Sequence, residues 1–297
     1  MPPRARFAGA YTALVTPFTR DGRIDETAFR RLVRLQVKGG IAGLVPCGST
    51  GEAATLSHDE YRRVIHLTLA EARGEVPVIA GIGTNATWKA LEMAREAESL
   101  GADALLGLTP YYNKPTQDGI FEHFRALAAA TRLPVIVYNI PGRTGVNVLP
   151  KTLARIAKAC SNVVAVKEAS GSVDQVSEIR GLLPRPFAVL SGDDSLTLPM
   201  LAVGADGVIS VASNIAPKEV SRLCAEFAVG DPKKAEALHR RLFPLIKALF
   251  VETNPIPVKA ALELQGLCRA EPRLPLTLLT KPNRVMLRKE LAAAGLL

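Results

Sequence analysis

The sequence predicts an α/β chain: a (β/α)8 barrel with a C-terminal helical region. Eight short β-branched or apolar runs recur between residues 11 and 211. Several show almost no polar alternation, as strands buried on both faces of a parallel sheet do. The longer segments between the runs carry helical spacing of apolar residues.

In order, the runs are residues 11–17, 43–47, 76–82, 104–108, 134–139, 163–166, 188–190 and 207–211. Helical spacing follows the first at 24–37, the third at 88–100 and the fourth at 121–131. Parallel strands joined by right-handed crossovers close into a barrel at this count, with a doubly wound open sheet as the alternative. Gly48-Ser49-Thr50, Asn85, Tyr111-Tyr112, Tyr138, Lys167 and Gly192-Asp193 lie at or just after the ends of different runs. A barrel gathers such ends at one face, whereas an open sheet spreads them along an edge, so the barrel is favoured. After a helix expected at 217–229, the pattern changes to helices without strands at 233–251, 258–267 and 283–294. Asp231-Pro232 and Asn254-Pro255-Ile256-Pro257 punctuate them, because proline disfavours helix in the residue before it. The expected organisation is therefore a barrel over 1–230 that carries the chemistry and a helical region over 231–297.

Composition narrows the function classes. With 297 residues, 48% apolar and 22% charged, the chain is neither a disordered segment nor a disulfide-stapled miniprotein. The formal charge of +9 is scattered, with no block of five basic residues, which argues against nucleic-acid binding and suits anionic metabolites. Cys47, Cys160, Cys224 and Cys268 lie far apart without metal-ligand spacing and read as reduced, buried thiols of a cytoplasmic protein. Arg4 and Arg6 precede an apolar stretch, as in a secretory leader, but Tyr11, Thr12 and Thr16-Pro17 break it, so a first strand is expected. No run approaches 18 apolar residues, so no membrane span is expected.

Lys167 directly ends the β-branched run Val163-Val164-Ala165-Val166. Burial disfavours an ammonium and favours the neutral amine that imine chemistry needs. A lysine snorkelling to solvent is the bland alternative. Gly48-Ser49-Thr50-Gly51-Glu52 follows the second run, and its glycines allow a tight turn whose amides and hydroxyls could face a carboxylate or phosphate. Ser and Thr acting as helix caps would explain it too. Gly81-Ile82-Gly83-Thr84-Asn85-Ala86 matches a dinucleotide fingerprint formally, but Asp103 would begin the next strand rather than end it. Tyr111-Tyr112-Asn113-Lys114-Pro115 and Tyr138-Asn139-Ile140-Pro141-Gly142-Arg143-Thr144 follow the fourth and fifth runs. A phenol near an amine can shuttle protons, and an arginine can grip a carboxylate bidentately. Ser191-Gly192-Asp193-Asp194 reads as a helix cap before Leu196 rather than a metal pair, and none of His58, His66, His123 and His239 is assigned to catalysis.

Together GSTGEAATL (48–56), TPYYNKP (109–115), YNIPGRTG (138–145), VKEASG (166–171), SGDD (191–194), GVISV (207–211) and NPIPVK (254–259) resemble the dihydrodipicolinate synthase family of the class I pyruvate aldolases. The resemblance implies a lysine Schiff base between Lys167 and pyruvate, a proton relay of Tyr138, Ser49 and Tyr112, and no metal or organic cofactor. It implies that Thr50 and nearby amides hold the pyruvate carboxylate, that Ile209 and Gly192 line that pocket, and that Arg143 binds the carboxylate of L-aspartate 4-semialdehyde. A homotetramer of two tight dimers, in which Tyr112 reaches into the neighbouring site, is implied as well. Ser49 stands where these synthases usually have Thr, and the same GSTGE occurs in the related sialate lyases, so a sialate lyase or a 2-keto-3-deoxy sugar acid aldolase remains an alternative. A catalytically silent barrel serving as a binding module is the non-enzyme alternative. Ala54, His58, Asn85 and Tyr111 match an allosteric lysine site, but Lys89 replaces an acid there, which implies weak or absent feedback by lysine.

Overall fold

A computed structural model describes residues 7–297, so Arg4 and Arg6 lie outside the described residues, whereas the apolar stretch after them is described and contains the first strand. The strands are β1 (Gly9–Ala13), β2 (Gly43–Val45), β3 (Ile79–Gly81), β4 (Ala104–Leu108), β5 (Val135–Asn139), β6 (Val163–Glu168), β7 (Ala188–Ser191) and β8 (Gly207–Ser210). They form one eight-stranded sheet in the order β2-β1-β8-β7-β6-β5-β4-β3. The ladders from β3 through to β8, and that of β1 with β2, are parallel. A parallel bridge pairs Leu44 of β2 with Val78, the residue before β3. The fold class is the (β/α)8 barrel with C-terminal helices.

The chain divides into two compact units. One comprises the described residues up to Gly9 together with Ile79–Ile209, and the other comprises Ala10–Val78 with Ser210–Leu297. In the first, β5 and β6 are almost wholly buried, as their unbroken apolar runs require. The helix Val173–Leu182 after β6 starts where the Ser172 side chain accepts from the Gln175 N–H, and it buries Gln175, Val176 and Ile179 on one face. In the second, the helix Glu26–Lys38 is capped by Asp25 and buries Phe29, Leu32, Val33 and Gln36. The helix His58–Ala72 opens on a capping box of Ser57 and Glu60, which satisfies two orphan amides reciprocally. The C-terminal helices Pro232–Ala248, Ile256–Leu264 and Lys281–Ala293 match the helices expected there to within a few residues.

The first strand is where pattern and ladder part. Apolar character continues through Val15, yet β1 ends at Ala13. The Val15 N–H donates to the Asn214 side chain (3.2 Å) instead of to a neighbouring strand. The Leu14 N–H still donates to the Val45 carbonyl of β2 (3.0 Å), so it is 15–17 that burial alone made look like strand. Cys47, Cys160 and Cys224 are buried and Cys268 is half-buried. Among the described residues no helix is long and apolar enough to cross a membrane.

Candidate active site

Parallel pairing of β5 with β6 sets Tyr138 opposite Lys167 and Asn139 opposite Glu168. Both Tyr138 and Lys167 are buried, and the Lys167 Nζ lies 4.2 Å from the centre of the Tyr138 ring. The expected pairing of an amine with a phenol is therefore present, and the lysine does not snorkel to solvent. On the other flank, Lys167 is in register with Leu190 of β7. Just beyond β7, a Cβ on Gly192 would stand 2.6 Å from the Ala169 Cβ and 3.2 Å from the Lys167 Cε and Cγ. Glycine at 192 thus makes room for the stem of Lys167, a role that the SGDD motif did not reveal. Asp193 caps the short turn Asp194–Leu196 by accepting from the Ser195 N–H (2.8 Å), as the sequence suggested.

Ile209 is buried on β8. Arg143 is exposed on the short helix Pro141–Thr144 that directly follows β5. After β4, Tyr111 is half-buried, while Tyr112 is 87% exposed and holds a left-handed backbone at φ +70°. Lys114 has φ +44°, and the Asn113 side chain donates to the Asn85 carbonyl (3.0 Å). A non-glycine residue in that region is strained, and strain of this kind is retained where a loop must present particular side chains. Lys89 is exposed, with its Nζ 5.3 Å from the Trp88 ring.

Ser49 and Thr50 belong to the second unit, on the turn that follows β2. Cys47 and Glu52 bracket it with left-handed φ of +56° and +54°. The amides of Gly51, Glu52 and Ala53 donate to the carbonyls of Gly48 and Ser49, so they are spent inside the turn rather than offered to an anion. A Cβ on Gly51 would lie 3.0 Å from the Leu14 carbonyl oxygen and 3.3 Å from the Cys47 nitrogen, so a side chain there would crowd the backbone. Neither Ser49 nor Thr50 caps a helix: the short turn Ala53–Thr55 has no side-chain cap, and the helix His58–Ala72 is capped by Ser57. Ala54 and His58 are exposed nearby in the chain.

Three residues that the sequence reading left without a role hold this turn. The Asn254 amide donates to the Thr50 Oγ1 (3.0 Å). The Lys259 Nζ meets the Glu52 Oε1 at 2.6 Å and donates to the Thr16 carbonyl (3.1 Å), with both charged side chains buried. The other Glu52 oxygen accepts from the Arg273 N–H (2.8 Å). Burial pushes the Lys259 ammonium below the usual lysine range, and the Glu52 carboxylate opposes that shift. Asn254, Lys259 and Glu52 all stand within motifs that carry the family resemblance, which was the available signal. Their pairing across more than 200 residues was not visible.

The sequence matches the Dihydrodipicolinate synthetase family over residues 6–294. It is 53% identical over 292 residues to the 4-hydroxy-tetrahydrodipicolinate synthase of Nitratidesulfovibrio vulgaris (strain DP4), covering 98% of this chain and 100% of that one. The dihydrodipicolinate synthase of Thermotoga maritima superposes with a TM-score of 0.97 at 48% identity, covering 98% of this chain and 100% of that one. The enzyme of Cyanidioschyzon merolae, solved with lysine bound, superposes with a TM-score of 0.96 at 43% identity, covering 98% and 99%. The chain belongs to the dihydrodipicolinate synthetase family.

Proposed function

We propose that this chain condenses pyruvate with L-aspartate 4-semialdehyde to 4-hydroxy-tetrahydrodipicolinate, in lysine and diaminopimelate biosynthesis, through an imine on Lys167. The observation that carries this is the buried Lys167 amine set 4.2 Å from the ring of its register partner Tyr138, in a member of this family. The Lys167 nitrogen adds to the keto carbon of pyruvate, and loss of water gives the imine. Loss of a methyl proton gives the enamine, whose carbon bonds to the aldehyde carbon while the aldehyde oxygen takes a proton. The substrate amine then displaces Lys167 from the imine carbon, which closes the ring and frees the enzyme.

In this scheme Tyr138 moves the protons, with Ser49 and Tyr112 completing the relay. Thr50 and Ile209 hold the pyruvate carboxylate, the latter through its backbone, and Gly192 leaves space for the lysine stem. Arg143 grips the carboxylate of the aldehyde substrate bidentately. Tyr112 serves a neighbouring copy in a dimer, two of which form the tetramer. Its exposure and strained backbone suit a side chain meant to be covered by another chain. Residues 1–230 carry the chemistry, 231–297 form the helical region, and the enzyme works in the cytoplasm.

Borohydride trapping with pyruvate, followed by peptide mass analysis, is expected to mark Lys167, and an unmodified Lys167 would refute the mechanism. Condensation with aspartate semialdehyde assayed against cleavage of sialate then identifies the aldehyde partner. Ala54, His58, Asn85, Lys89 and Tyr111 form a lysine site altered by a like charge at Lys89. Sub-millimolar L-lysine is expected to inhibit turnover weakly or not at all, and strong inhibition in the coupled assay would overturn this.

A further inference from the structure

The VKEASG motif places a second ionisable residue, Glu168, immediately after Lys167. Its carboxylate is completely buried, and the hydrogen bonds to it come from neutral donors. The Asn139 Nδ2 lies 3.2 and 3.0 Å from its two oxygens. The Gln175 Nε2 donates at 2.9 Å and the Ser170 N–H at 2.7 Å. Asn147 closes a ring: its Oδ1 accepts from Asn139 (2.7 Å) and Gln175 (3.2 Å), and its Nδ2 donates to the Gln175 Oε1 (2.8 Å). The Asn139 Oδ1 accepts from the Val148 N–H (3.0 Å).

Successive residues of a strand point to opposite faces, so this cluster lies on the face of β5 and β6 opposite to Tyr138 and Lys167. Both members of each pair are register partners across the same two strands. The ladder does not guarantee that register by itself, because it shifts between Val135 and Ile136, where Val163 and Ala165 are the successive partners. An irregularity of that kind leaves downstream pairing to be set by side chains, and a one-residue slip turns every side chain to the wrong face. Hydrogen bonds to an ionised acceptor are short and directional, about twice as strong as neutral ones. A buried carboxylate is costly to desolvate, and here it clamps the strand ends where a neutral amide would hold them more loosely.

We propose that Glu168, acting through Asn139, is the positioning residue that holds Lys167 opposite Tyr138. This rests on the assignment of Lys167 and Tyr138 to imine chemistry. The test measures the single-turnover rate of borohydride-trappable pyruvate adduct at Lys167, kcat, KM for aspartate semialdehyde and the thermal midpoint. Wild type is compared with Glu168→Gln, with Asn139→Asp, and with the two combined. Glu168→Gln is expected to lower the adduct rate and kcat at least tenfold, with KM for the aldehyde within twofold. Asn139→Asp sets two carboxylates against each other and should lose more. The double variant restores a donor and an acceptor in reversed order and should recover at least fivefold over Asn139→Asp. If Glu168→Gln does not fold, Gln175→Met removes one donor to the carboxylate and is expected to slow adduct formation about threefold. A wild-type adduct rate in a folded Glu168→Gln or Gln175→Met overturns the proposal, as does a double variant no faster than Asn139→Asp. Absence of any adduct in the wild type overturns the imine assignment itself, and with it this role.

Discussion

Two buried carboxylates stand at motif positions, and they are held by opposite means. Glu52 is locked by the buried Lys259 cation at 2.6 Å, at the turn that carries Ser49 and Thr50. Glu168, at the end of the strand that carries Lys167, is held by amides and a backbone N–H. An ion pair spreads its attraction over distance and ties remote parts of the chain together. A ring of neutral donors acts only at hydrogen-bond range, and so sets position. The first arrangement is thus expected to govern stability, and the second the placement of reacting atoms.

Breaking the ion pair should have the largest effect on stability. Lys259→Met leaves Glu52 buried without its cation, a change expected to cost about 3–5 kcal/mol in urea unfolding. Adding Glu52→Gln to Lys259→Met removes the stranded charge and should recover at least half of that loss. If the double variant is as unstable as the single one, packing rather than charge is what Lys259 supplies.

Gly192→Ala sharpens the other side of the comparison, because the added methyl meets Ala169 and the Lys167 stem and neither carboxylate side chain. Turnover should fall at least tenfold, about 1.4 kcal/mol in the barrier, while overpacking costs about 1–3 kcal/mol in stability. Unchanged turnover would mean that Lys167 tolerates displacement.

The smallest effect expected is on acid stability, near the Glu52 turn. Hydrogen bonding from Arg273 lowers the Glu60 carboxyl from the ordinary 4.5 to about 2. The unfolded chain takes up that proton first, so the contribution is complete above pH 4.5 and is lost as pH falls towards about 2. Glu71, held down to about 2 chiefly by Arg34, titrates across the same window. Arg273→Gln should therefore flatten the acid limb of the urea midpoint only in part, and an unaltered limb would remove Glu60 from the account.

Much of the candidate site was legible because strand periodicity brings it together locally. Lys167 and Tyr138 each end an apolar run, and parallel neighbours put such ends side by side. The exposed, strained Tyr112 follows from its loop. Gly192 was singled out as a pocket residue, but its use, a gap beside the Lys167 stem, depends on where β7 lies. That the amides of Gly51 and Glu52, and of Ala53 just beyond, close the turn at 48–52 on the Gly48 and Ser49 carbonyls could not be read from its residue types. Hydrophobic pattern reports burial, not hydrogen-bond partners, which is also why the first run was drawn past the end of β1 at Ala13.

Residue order by itself determined the alternation of strand and helix, the fold class and the candidate amine and phenol, since each depends on neighbours within a few positions and on burial. The tertiary structure decided which polar residues satisfy one another. Asn254 with Thr50, Lys259 with Glu52, and Asn139 with Glu168 are pairings that only a folded backbone creates. A desolvated charge must find whatever partner the fold brings within about 3 Å, however distant in sequence.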